Sequence, residues 1–244
     1  MTQAKSGLSV RKLTADEMRG RGADPVVPRP AKLDFTAAEP DAYGDGPYAQ
    51  PGHIDVVATP ERAYLAVTTE GSPRTSEDYR VAAEALFAAA YGVKVRNKAL
   101  ARKGVAGADD AERSDFRVPP LERLRGELSA HTAADASWTL LLRRPDWIDD
   151  AEVGDVLEHL EVSKGLKNLS RVRCLDLPSA SYLQTRVDGR WSVALTPTAK
   201  VFGVQLRERG LTPVDGPRPW HEVCLGEPGA PVGENSYLLR LRLA

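Results

Sequence analysis

Ala63–Ser76 reads AYLAVTTEGSPRTS, and Ser181–Ala194 reads SYLQTRVDGRWSVA. Each stretch runs from a small residue through Tyr-Leu into an alternating strand and an acidic-Gly turn. A helical pattern and two further strand-like runs come after each. The shared order predicts an internal duplication of a ββ-helix-ββ unit. Repeat one spans 53–148, a linker helix takes 149–165, and repeat two spans 170–244. The expected class is α+β: two repeats about a pseudo-twofold, a concave antiparallel sheet, and a central groove of the kind that holds small ligands.

The elements around these stretches are read from periodicity. In SPRTSEDYRVAAEALFAAAYGVKV (72–95), Thr75 and Asp78 suggest an N-terminal cap, and Tyr79, Ala83, Leu86 and Ala90 share a helical stripe. NKALARKGVAGADDAERSD (97–115) reads as a polar loop, FRVPPLERLR (116–125) and SWTLLLRRPDWI (137–148) as strands. DDAEVGDVLEHLEVSKG (149–165) is a helix with acidic residues at its start and Lys-Gly at its end. In TPTAKVFGVQLRERG (196–210) a helix is expected to begin near Pro197, a first-turn position. Residues 1–50 lack sustained periodicity and read as a flexible extension, anchored from about residue 32 by KLDF (32–35).

The chain has 244 residues, 42% hydrophobic and 27% charged, with a formal net charge of −1. This is globular composition, and it lacks the basic footprint of a nucleic-acid binder. No apolar run approaches the roughly 20 residues of a membrane span, and MTQAKSGLSVRKLTADEMRGRG has no signal-peptide core. A cytoplasmic location, with Cys174 and Cys224 reduced, is expected. His53, His131, His159 and His221 show no metal-ligand spacing, and no phosphate loop or dinucleotide motif is present. No metal or cofactor is expected.

RPWHEVCLG (Arg218–Gly226) holds the best candidate for chemistry. Alternation puts Trp220, Glu222 and Cys224 on one face and His221 on the other. A carboxylate desolvated among aromatic rings is a competent base near neutral pH, so Glu222 is the candidate catalytic residue. A counter-charge for a bound cation would use the same residue. Trp138, Trp191 and Trp220 are the candidate stacking walls of the groove. Tyr64 and Tyr182, the repeat-related pair, are candidate phenol donors. Cys224 shares the face of Glu222 and reads as a buried spectator.

KLDF, RAYLAVTTEGSPRTSEDYRVAAEALFAAAYGVKV, FRVPPLERL, WTLLLRRPDWI, RVRCLDL and HEVCLGEP occur in the order seen in GyrI-like small-molecule-binding proteins, which the chain resembles from about Lys32 to its end. The resemblance implies paired ββ-helix-ββ (SHS2-like) repeats and a cleft for bulky planar, often cationic or aromatic compounds. Some stand-alone members hydrolyse the strained cyclopropane of spirocyclopropane DNA-alkylating antibiotics. The resemblance maps the family's cleft glutamate onto Glu222 and its strand tryptophan onto Trp138. GRWSVAL (189–195) departs from the family pattern: Trp191 stands for a tyrosine, and Val193 and Ala194 stand where acids are frequent. Two functions are expected, a cyclopropanoid hydrolase with a glutamate base or a non-catalytic drug-binding protein.

Overall fold

The computed structural model describes residues 32–43, 51–73, 75–103, 115–125, 137–189, 191–216, 219–226 and 236–244, with the side chains of 191–196 excepted. The described residues all belong to the larger of two units, residues 31–244. The strands of the larger unit are β1 (Lys32–Leu33), β2 (Ile54–Thr59), β3 (Arg62–Glu70), β4 (Asp115–Phe116), β5 (Glu122–Arg125), β6 (Ser137–Arg143), β7 (Arg173–Leu177), β8 (Ala180–Asp188), β9 (Trp220–Cys224) and β10 (Ser236–Arg242). Its α-helices are α1 (Phe35–Ala38), α2 (Pro40–Tyr43), α3 (Glu77–Lys103), α4 (Asp150–Lys164) and α5 (Trp191–Arg209).

Among the described residues, eight strands make one antiparallel sheet in the order β2-β8-β10-β9-β5-β6-β3-β7, while β1 and β4 pair in parallel beside it. Pro60–Glu61 joins β2 to β3, yet these strands sit six places apart. A flat sheet would separate them by about 29 Å. Two intervening residues reach at most about 11 Å. Pro178–Ser179 sets the same constraint on β7 and β8. The sheet must therefore curl until its edges approach, a half-barrel. The interior of such a curl admits only short elements, so α3, α4 and α5 lie outside it.

Side-chain alternation sorts the strands accordingly. Leu65, Val67, Trp138, Leu140 and Leu142 face outward and pack with Tyr79, Ala82, Leu86, Ala89 and Val93 of α3. Leu183, Leu241 and Trp220 face outward beneath Phe202 of α5. The small alanines bring α3 close to the sheet. Tyr64, Ala66 and Leu141 face inward. So do Arg62, Glu122, Arg143, Tyr182, Gln184, His221 and Arg240, by the same alternation.

Register is matched in the two halves. Tyr64 lies opposite Arg143 of β6 and Leu175 of β7, and Tyr182 lies opposite Arg242 of β10 and Val57 of β2. The central seam pairs Arg123 of β5 with Glu222 of β9. The first strand of each expected repeat pairs in the other half, β2 on β8 and β7 on β3.

Three boundaries differ from the sequence expectation. Ser76 caps α3, its hydroxyl accepting from the Tyr79 N–H at 3.2 Å, while Asp78 turns to Thr69, Glu70 and Arg171. The helix also continues through NKALARK to Lys103, a run of strong helix formers. α5 starts at Trp191, which leaves Pro197 inside the helix rather than in its first turn. α4 matches its pattern: Asp149 caps its start through the Glu152 N–H at 2.7 Å, and Gly165, at φ 61°, takes the left-handed position at its end.

Candidate functional site

The inward face carries a dense polar cluster centred on Glu122. Its carboxylate is 0% exposed. Tyr43 donates its hydroxyl to Oε1 and Tyr64 donates to Oε2, both at 3.1 Å. His221 Nε2 lies 2.6 Å from the same Oε2. Burial alone would raise the Glu122 pKa. The His221 hydrogen bond and charge, with Arg240 and Arg62, outweigh it and hold the carboxyl at about 2. It is an anion, and so an acceptor only. His221 Nε2 must then carry the proton, leaving Nδ1 as a bare lone pair.

That Nδ1 is buried and has no hydrogen-bond partner among the described residues. Burial, the largest effect on His221, disfavours the imidazolium and outweighs Glu122, so the ring pKa lies below its usual 6.5. The result is a neutral imidazole at pH 7, oriented by a carboxylate on one nitrogen and able to accept a proton on the other. Tyr182 packs edge-on to this ring, with centroids 5.8 Å apart.

Arginines surround the dyad. Arg240 donates from Nε to Gln184 Oε1 at 2.6 Å and also reaches the Ala42 carbonyl, while its Nη1 is buried without a partner among the described residues. Gln184 donates to the Asp41 carbonyl at 3.1 Å. Arg62 and Arg143 both pair with Glu39. Residues 39–43 thus lie over the cluster, held by polar contacts to several strands. Only elements this short fit inside the curl.

The sequence candidates distribute unevenly over this geometry. Tyr64 and Tyr182 are on the inner face. Tyr64 spends its hydroxyl on Glu122, and burial raises its pKa far above that of a free phenol, so it fixes the carboxylate rather than awaiting an oxyanion. Glu222, expected in an aromatic-lined groove, faces outward instead, fully buried beneath the helix layer. Its oxygens pair with Arg123 at 2.8 Å and Arg125 at 3.6 Å. Trp138 lies beside both guanidiniums, 5.3 and 4.8 Å from its ring, and donates its indole N–H to the Gly71 carbonyl at 2.8 Å. It is a core residue. Trp220 stacks on Phe202, also outside, with centroids 5.7 Å apart. The Trp191 side chain lies outside the described residues. Period-two alternation correctly groups Trp220 with Glu222, but it does not say which face a helix will cover.

Glu122 and His221 are not visible as a pair in the sequence, although alternation does separate His221 from Glu222. Both stand on short strands that the chain order keeps far apart. Signals are present: ERLR and WHEV each place one polar and one apolar residue on the inner side, Glu122 with Leu124 and His221 with Val223.

Several openings mark the surface of the described residues. One of about 570 Å³ lies between α3 and α4, lined by Tyr91, Val95, Leu160 and Leu166. Another of about 520 Å³ is bounded by Phe87, Pro119, Leu225, Tyr237, Arg123 and Cys224. Burial pushes the Cys224 thiol up, which keeps it from acting as a thiolate. Cys174 and Cys224 are free thiols. Among the described residues no group of His, Cys, Asp or Glu is arranged to hold a metal, and no helix is long and apolar enough to cross a membrane.

No protein-family model matches the chain, and no curated protein sequence matches it. Solved structures do. A hydrolase from Listeria innocua is 26% identical, with a TM-score of 0.70 over 87% of this chain and 100% of its own. A second hydrolase structure from that organism is also 26% identical, with a TM-score of 0.72 over 88% of this chain and 100% of its own. An uncharacterized conserved protein of Listeria innocua is 25% identical, with a TM-score of 0.72 over 87% of this chain and 100% of its own.

Proposed function

We propose that this chain is a GyrI-like small-molecule hydrolase that opens the strained cyclopropane of spirocyclopropane DNA-alkylating compounds, using His221 as the base and Glu122 to orient it. The observation that carries the reading is the buried Nδ1 of a neutral His221, without a partner among the described residues, whose Nε2–H is held by an ionised Glu122. The similarity to two Listeria hydrolase structures over their whole length supports hydrolysis as the reaction class. The half-barrel α+β sheet is compatible with a GyrI-like fold. We read its two halves as repeats, on the matched register of Tyr64 and Tyr182 and the crossed first strands.

The chemistry balances with these residues. Water loses a proton to His221 Nδ1 as its oxygen bonds to the cyclopropane methylene. The ring C–C bond breaks, and its electron pair passes through the conjugated ring to the carbonyl oxygen, which becomes a phenolate. Arg240, with an uncommitted Nη1, is the cation suited to that developing charge. The imidazolium then returns the proton to the phenolate. Tyr182, beside the His221 ring, is the stacking surface for a planar ligand. Tyr43 and Ala42 lie over Glu122 and Arg240, so the ligand enters as they move aside.

Single-turnover hydrolysis of a spirocyclopropane alkylator tests the reading. His221→Gln should slow opening by about 10²–10⁴ with little change in affinity. Full-rate turnover in that variant would remove His221 as the base. Tight binding without turnover by the wild type would instead make the chain a drug-sequestering protein. That second reading draws on the closed state of the site, in which Glu122 already accepts from three partners.

A further inference from the structure

We infer that Arg62 and Arg143 form a subsite for an anionic group on the ligand, a carboxylate or an oxyanion of similar size, and that Glu39 occupies this subsite in the free protein. The inference rests on the inner face being the ligand site.

Arg62 and Arg143 are 3% and 6% exposed, and each guanidinium lies against an aromatic face, Arg62 at 5.7 Å from the Tyr43 ring and Arg143 at 4.4 Å from the Phe35 ring. Stacking of this kind fixes the plane of a guanidinium and leaves its N–H edge to recognise a planar acid. Both edges converge on one carboxylate: Glu39 Oε2 takes Arg62 and Oε1 takes Arg143. One carboxylate does not use up the donors. The Nε groups of Arg62 and Arg143 and the Nη1 of Arg240 are buried without partners among the described residues. Three guanidiniums against Glu39 and Glu122 also leave the inner face positive with His221 neutral, the wrong sign for a cationic ligand and the right one for an anion.

Glu39 is the replaceable member of this group. Its side chain is 26% exposed, so the subsite opens to water at the point where this carboxylate sits. Its backbone, at φ −130° and ψ 67°, belongs to neither α1 nor α2. Rotation of its side chain frees both arginines while the bonds of the two helices stay made. An incoming carboxylate would replace like with like, and the arginines would stay paired throughout the exchange.

The full chain, titrated with 2-naphthoate and with its neutral analogue 2-naphthamide, provides the test. Glu39→Gln removes the resident charge without changing the side-chain shape. It should melt below the wild type, and 2-naphthoate should restore its melting temperature. This variant should bind 2-naphthoate at least tenfold more tightly than the wild type does and bind 2-naphthamide unchanged. Adding Arg143→Gln should abolish the gain. Equal affinity for acid and amide in Glu39→Gln, no binding of either probe, or a gain that survives loss of Arg143 would overturn the inference. If Glu39→Gln does not fold, the wild type is compared with the Glu39→Gln, Arg143→Gln pair: only the wild type should prefer the acid, and equal affinities in the wild type would overturn it. Neither probe carries a cyclopropane, so these arms are independent of the proposed turnover. Absence of turnover by the wild type would sink the hydrolase reading, full-rate turnover in His221→Gln would remove its base, and either would leave the subsite standing. Loss of turnover there, without a preference for naphthoate, would do the reverse.

Discussion

Replacing Glu222 with glutamine would leave Arg123 and Arg125, neighbours on one face of β5, without the carboxylate they share across the β5–β9 seam. Removing one member of a buried ion pair costs about 3–5 kcal/mol. Glu222→Gln should therefore lower the unfolding free energy by that order in chemical denaturation, and the folded fraction should keep the rate of the proposed hydrolysis. A selective rate loss in fully folded Glu222→Gln would return the catalytic role to this residue. His221 and Glu122 make a different prediction, one in pH. The folded state depresses both pKa values, so each contributes stability at neutral pH that is lost on acidification. The His221 contribution is complete above its unfolded value near 6.5 and falls as pH drops below it, and the Glu122 contribution is lost between about 4.5 and about 2. A melting-temperature profile should fall from pH 7 downward, and His221→Gln should flatten the upper part of that fall. An unchanged profile in the variant would mean that the imidazole is not held neutral.

Among the elements, two glycines in packed helices have opposite surroundings. A Cβ on Gly92 of α3 would stand 2.6 Å from Leu160 Cδ1 and 3.0 Å from Val156 Cγ1 of α4, so this glycine sets the distance between the helices. Gly154 of α4 is exposed, and its Cβ would meet nothing within 4 Å. Gly154→Ala should stabilise the protein by about 0.5–1 kcal/mol through helix propensity alone. Gly92→Val should destabilise it by about 1–3 kcal/mol through overpacking. Thermal melts of the two variants check both signs. A stabilised Gly92→Val would mean that α4 is free to slide on α3. The full length of α3 is hidden in the sequence for a related reason. NKALARK is polar enough to resemble a loop, but its residues are good helix formers, and Asn97 is buried where its Oδ1 accepts from the Trp147 indole at 3.2 Å.

The whole half-barrel depends on what fills it. Phe35, Ala42 and Tyr43 are buried, and the segment that carries them contributes Glu39 to two arginines and backbone carbonyls to Gln184 and Arg240. A chain starting at residue 31 and one starting at residue 44 should therefore differ sharply. Burial of Phe35 and Tyr43 alone is worth about 1.5–3 kcal/mol each, so the shorter chain should lose several kcal/mol in denaturant unfolding. Equal stability of the two would mean that the curl closes without its filling. The segment joins the candidate site to the stability of the molecule, because the residues over Glu122 and Arg240 also close the interior.

Local pattern was enough to settle most elements and their alternation. Strand periodicity in AYLAVTTE and SYLQTRVD, the acidic start and glycine end of α4, and the separation of His221 from Glu222 are legible in the chain because each depends on residues within a few positions. Which side of each strand became interior was settled only by closure of the sheet. Two-residue links at Pro60–Glu61 and Pro178–Ser179 force a curl, and the curl sends α3 and α5 to the face that holds Glu222, Trp138 and Trp220. His221 is thereby turned inward, against Glu122 from a strand 99 positions away. A contact at that separation depends on strand order, and strand order is fixed by how the whole sheet closes. No single stretch of this sequence records it.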